Sequence, residues 1–295
     1  MNALPTAPLP SSPAAALPGR AGLASPTAHR LTWALAAVTA AGCLPTVVDP
    51  GLLKGPAVMI GSARGTALVM LVVALPLLLG SAVLARRGHV RAVLPWLGAV
   101  AFLTYNAVML LLGTPYNALF LLYVAIGSLS VWTTIALLHS LDVTAFAGRF
   151  APDLPVRGLA GYVWVICGLN ASLWLRGAVP GLAATGTPDF LVGTGLTTSP
   201  TYLQDLMFWL PLMFVAAWWL WHRQAWGFVI VGAMLVQWVV EAVCIAVDQQ
   251  FGHLADPAST VVAPALVPGF AVLALVGLVP VLLFARRLPG RPMPR

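Results

Sequence analysis

The chain has 295 residues, 60% of them hydrophobic and 8% charged, with a mean hydropathy of +0.93. Soluble domains carry about a quarter charged residues, so a water-soluble globular fold is excluded, and length here counts membrane helices rather than domains. A net charge of +7 does not read as nucleic-acid binding, because the Lys and Arg residues punctuate apolar segments instead of forming a patch interleaved with aromatics.

Residues 1 to 30 are rich in Ala, Pro and Ser, too proline-rich to sustain a helix and too poor in large apolar residues to build a core. They are expected to form a disordered cytoplasmic tail, not a secretory signal, because no short basic start precedes an early apolar run. Ala41-Gly42-Cys43 has the outline of a lipoprotein cleavage box, but Ala40 stands where Leu is usual.

Eight apolar segments follow at 31–48, 66–85, 92–113, 118–139, 158–177, 202–221, 226–247 and 263–285. Each is long enough to cross a hydrocarbon core of about 30 Å at about 1.5 Å per residue. The fold class is therefore all-α, a polytopic transmembrane bundle of about eight helices over residues 31–285, ending in a basic tail at 286–295. With the N-terminus inside, Arg20, Arg30, Arg86, Arg87, Arg91, Arg149, Arg157, Arg223, Arg286, Arg287, Arg291 and Arg295 all fall on the inner side. The outer side receives only Lys54, Arg64 and Arg176. This positive-inside bias predicts that both termini lie in the cytoplasm.

Thr114-Pro115-Tyr116-Asn117 is the tightest outer link and predicts an antiparallel hairpin of the third and fourth helices. The other outer connections, 49–65, 178–201 and 248–262, are longer and are where a ligand-facing loop is expected. Leu-Pro-Leu occurs in the second and sixth segments, at 75–77 and 210–212. Each copy is followed by an Arg-containing turn and a helix with Trp near its start, a hint of two parallel four-helix halves.

Ionisable groups inside a bilayer are unfavourable by about 2.5 to 3.5 kcal/mol at a helix centre, so each asks for a reason. Glu241 lies about 9 Å from the outer end of the seventh segment, with Gln237, Cys244 and Asp248 on its face at helical spacing. Asn106 and Asn170 lie about 10 Å deep from the same side, and Gln204 and Asp205 open the sixth segment. Glu241, Asp205, Gln237, Asn106 and Asn170 are the candidate ligand- or proton-binding residues of one outward-facing cavity. The competing reading is that these groups only hydrogen-bond neighbouring helices, with Glu241 either protonated or paired to Arg176.

Cys43, Cys167 and Cys244 lie within apolar segments, with no CxxC spacing and no His nearby, so neither a disulfide framework nor a zinc site is expected. No His pair is placed to clamp a haem. No cofactor is therefore expected, and no metal. HExxH, GxSxG and P-loop signatures are missing, so no catalytic residue is assigned. Three functional readings remain open: small-solute or proton-linked transport or sensing; a non-catalytic accessory or scaffold subunit, with a membrane partner or a second copy of the chain; and a membrane-embedded enzyme using Asp205 and Glu241 as an acid-base pair.

Ala85-Arg86-Arg87-Gly88, Trp96-Leu97-Gly98, Tyr105-Asn106, the run from Asn117 to Ala125 and Ser128-Leu129-Ser130 resemble a group of multi-pass membrane proteins from GC-rich, actinobacterial-type bacteria that carry no assigned activity. The similarity spans roughly residues 61–142, with a weaker echo at 205–227. It implies a shared helical fold and no particular chemistry. The abundance of Ala, Gly, Pro and Arg against the single Lys54 fits the same source, and so a bacterial cell membrane.

Overall fold

The computed structural model describes residues 24–290. Among them are eight helices long and apolar enough to cross a membrane: α1 (Pro26–Val48), α2 (Ala57–Arg86), α3 (Val90–Leu112), α4 (Phe120–Ser140), α5 (Val156–Gly181), α6 (Pro200–Trp221), α7 (Ala225–Ala255) and α8 (Pro264–Arg286). The chain is an all-α multi-pass membrane protein.

Several boundaries move outward from their expected places. α1 starts at Pro26 because the Ser25 hydroxyl accepts from the Ala28 N–H at 3.1 Å and proline suits the first helical position. Residues 26–30 thus belong to the bundle and not to a tail, while 1–23 and 291–295 lie outside the described residues. α2 begins nine residues earlier than the apolar run, so the connection after α1 shrinks to residues 49–56. Arg64 stands inside α2, where its guanidinium donates to the Val47 carbonyl at 2.9 and 3.1 Å. α7 continues to Ala255 and carries Asp248 within it.

The extra turns of α2 and α7 have one cause. Gly61 and Gly65, four residues apart, give α2 a face without side chains, and α7 lies directly on it. A Cβ at Gly65 would fall 2.8 Å from the Asp248 Cα, and one at Gly61 would meet the Phe251 carbonyl oxygen. Close backbone approach is how membrane helices gain van der Waals energy where no hydrophobic driving force exists. The Ser62 hydroxyl adds a bond to the Asp248 carbonyl at 3.2 Å.

α3 and α7 form the centre, with 72% and 67% of their spanning residues buried, against 17% for α8 and 22% for α5. They cross at Gly98, where an added Cβ would lie 2.6 Å from the Ala233 carbonyl oxygen. α3 and α4 form the expected hairpin, its turn held by Asn117, whose side-chain oxygen accepts from the Leu119 N–H at 2.9 Å.

Loop contacts define two ends. At one, Arg91 donates to the Leu288 carbonyl (2.8 and 3.0 Å), Arg287 pairs with Asp153 at 2.6 Å and Arg223 reaches the carbonyls of Pro152 and Leu154. At the other, Gly55 packs on Pro115, Gly195 on Pro56 and Gly193 on Val261. The first is the arginine-rich end, the one expected inside.

The two halves repeat at a spacing of 135 positions. Pro76 and Pro211 each follow a wide turn, Met70–Ala74 and Asp205–Trp209, in which the next N–H reaches back five residues. Proline removes a donor and its ring presses on the carbonyl four residues back, and the wider turn relieves that clash. Twelve residues on from each proline the backbone turns left-handed, at Gly88 (φ 88) and at Arg223 (φ 54). The same bonds close both helix ends: His89 N–H to Leu84 O, and Gln224 N–H to Trp219 O. Pro45 in α1 and Pro180 in α5 share the spacing. So do Gly98 and Ala233, which touch each other, placing the relating axis at the α3–α7 crossing.

Candidate functional site

Asn106 on α3 and Glu241 on α7 are also 135 positions apart and face each other across that axis. Each stands sixteen residues from the arginine-rich start of its helix, about 24 Å by helical rise. Asn106 Nδ2 donates to Glu241 Oε2 at 2.9 Å and to the Phe102 carbonyl at 3.1 Å. Gln237 Nε2, one turn before Glu241, approaches the same oxygen at 3.5 Å, and the Cys244 thiol lies 3.9 Å from Asn106 Oδ1. Glu241 Oε1 has no hydrogen-bond partner among the described residues, and Gln237 Oε1 is buried without a donor.

Glu241 pairs with these amides and not with Arg176, which is exposed at the far end of α5. Asp248, expected on the same face, instead backs onto Gly65 of α2, and its carboxylate accepts from Gln249 Nε2 at 3.1 Å.

Glu241 lines a cleft of about 110 Å³ between α5, α7 and α8, with Asn170, Tyr162, Trp238, Phe270 and Leu273 among its walls. Asn170 makes no side-chain hydrogen bond among the described residues, so its amide is available to the cleft. The cleft therefore brings two of the five candidates together directly, and Asn106 and Gln237 form the layer behind them.

Asp205 is placed elsewhere. It opens the wide turn of α6, and its carboxylate meets α5 and α3: Trp174 Nε1 donates to Oδ2 at 2.8 Å, and the Tyr105 phenol faces the same carboxyl. Its neighbour Gln204 accepts from Trp209 Nε1 at 3.1 Å and reaches the Tyr105 carbonyl at 3.4 Å. Tyr105 and Asn106 are adjacent on α3, so the two carboxyl groups occupy one level of the bundle with separate partners. No hydrogen bond joins them, and Asp205 is not in the wall of the Glu241 cleft.

The described residues contain no cluster of three or more His, Cys, Asp or Glu able to hold a metal ion. What the arrangement offers is one carboxyl oxygen and one amide facing an apolar, aromatic-walled cleft at membrane depth. Comparison with protein-family models, curated proteins and solved structures finds no match.

Proposed function

We propose that the chain works in a bacterial cytoplasmic membrane, with both termini inside, as a proton-linked or small-solute transporter or sensor whose working group is Glu241. One observation carries the reading: a carboxyl at membrane depth, fixed by Asn106 through one oxygen, has its other oxygen free beside a cleft it shares with the unbonded Asn170. A purely structural carboxyl would be expected to use both oxygens, since an unmet polar atom in hydrocarbon is unfavourable by several kcal/mol. The other titratable groups around it are Tyr105 on α3, Tyr162 on α5, Asp205 on α6, and Cys244 and Asp248 on α7, and no cation among the described residues pairs with it.

In proteoliposomes carrying an internal pH dye, an imposed pH step should drive proton flux through the native protein. Glu241→Gln, which keeps an acceptor for Asn106, should abolish that flux while leaving the yield and thermal stability of the purified protein unchanged. Equal flux, or equal loss of yield, would assign Glu241 to packing. Reporter fusions after Arg87, Arg149, Arg223 and Arg295 should all read cytoplasmic, and one periplasmic signal among them would break the orientation.

The accessory-subunit reading draws on a different observation, the largely uncovered outer faces of α5 and α8. It predicts a stoichiometric membrane partner after mild solubilisation. The enzyme reading has no geometric support, because Asp205 and Glu241 share no cleft.

A further inference from the structure

The repeat makes the cleft informative, because its counterpart in the first half is closed. There α1 lies on α4: Leu35 is fully buried, Gly42 sits within van der Waals reach of Ile126 and Leu122, and Thr46 Oγ1 and the Tyr123 hydroxyl are 2.7 Å apart. The position equivalent to Leu35 is Asn170. α5 and α8 make no comparable packing with each other, and the gap between them exposes α7 at Glu241. Both bounding helices are apolar and span the membrane, so the opening faces lipid and not an aqueous loop.

An occupant must enter through hydrocarbon yet satisfy Glu241 Oε1 and the Asn170 amide at the floor. Glu241 Oε1, the carboxyl oxygen left without a donor among the described residues, is an acceptor on the cleft wall, so the matching head group is a donor. Glu241 has no cationic partner among the described residues, and the walls carry Tyr162, Trp238 and Phe270, rings whose faces attract cations. We propose that this cleft binds a bilayer-borne amine, its ammonium head on Glu241 and Asn170 and its apolar tail passing between α5 and α8 into the lipid. A neutral amine taking the carboxyl proton in the site becomes the ammonium of an ion pair, so atoms and charge balance without a further reactant. The proposal rests on Glu241 being the working group and adds the ligand class and the route.

Binding of radiolabelled decylamine to the full chain in lipid nanodiscs, corrected for protein-free nanodiscs, tests it. Binding should be saturable, displaced by unlabelled decylamine and not by decanol, and weakened roughly tenfold or more by Glu241→Gln. Leu273→Trp, which fills the lipid-side wall and leaves the polar layer alone, should weaken it comparably while the protein remains monodisperse. Displacement by decanol, native-like binding in Glu241→Gln or an inert Leu273→Trp would overturn the proposal. So would efficient disulfide dimerisation through Leu273→Cys, which would give the cleft to a second copy. Proton flux that needs Glu241 without amine binding would remove the ligand class and leave Glu241's role standing. Amine binding through Glu241 without flux would do the reverse.

Discussion

Gly61→Leu should leave no monodisperse protein on gel filtration in mild detergent. A side chain at this position meets backbone, not a flexible tip: the Phe251 carbonyl oxygen, then the Ala255 Cβ at 2.7 Å and the Gly252 Cα at 3.0 Å. None of these can rotate aside, so α2 and α7 must separate. Gly252 faces back with equal closeness, its own Cβ position 2.6 Å from Ser62 Oγ, so the separation opens both sides of the seam. Overpacking typically destabilises by about 1 to 3 kcal/mol even where neighbours can shift, and here the Ser62 to Asp248 bond and the packing that holds α7 against the first half are lost as well. Gly80→Leu on the same helix is the matched control, because nothing lies within 4 Å of its Cβ position. If the two variants elute alike, close packing at Gly61 is not what joins α2 to α7.

The Gly61-x-x-x-Gly65 spacing was there to be read, since small residues four apart mark a membrane helix interface. It was hidden by Arg64, whose charge placed the segment in a loop on hydropathy alone. Helix number followed from apolar run length and basic alternation, which depend on the bilayer and not on tertiary detail. Helix ends did not, because Ser25, Arg64 and Asp248 are polar residues satisfied by a cap, a carbonyl and a side-chain amide that only the folded chain supplies. The polar layer was legible as depth: Glu241, Asn106, Asn170 and Asp205 do share a level. Which of them meet was not, since meeting depends on the rotation of each helix, and Asp205 meets Trp174 and Tyr105 instead of Glu241. Leu-Pro-Leu at 75–77 and 210–212 pointed to the repeat, and the coincidence of two wide turns, two left-handed residues and the Gly98–Ala233 crossing extends it across the bundle.

Asn106→Leu should destabilise the protein by about 2 kcal/mol, while the double variant Asn106→Leu, Glu241→Met should lose less than the single one. Asn106 is 1% exposed and supplies the only short hydrogen bond to the Glu241 carboxyl among the described residues. Interhelical hydrogen bonds in membranes average about 0.6 kcal/mol, but a buried acceptor stripped of its donor forfeits its full desolvation, about 1 to 3 kcal/mol and more for a charged group. The single variant strands the carboxyl with Gln237 at 3.5 Å as its remaining partner. The double variant removes donor and acceptor together and puts apolar groups of similar size in their place, which can be nearly neutral. Reversible unfolding in mixed micelles, read as the shift in denaturant midpoint at constant slope, gives both numbers. Additive losses would mean that the two residues do not hold each other. Because they occupy equivalent positions of the two halves, the sub-additive result carries a second meaning: the Asn106–Glu241 bond at the repeat axis serves to fix a carboxyl for use, and its apolar replacement joins the halves equally well while ending proton flux.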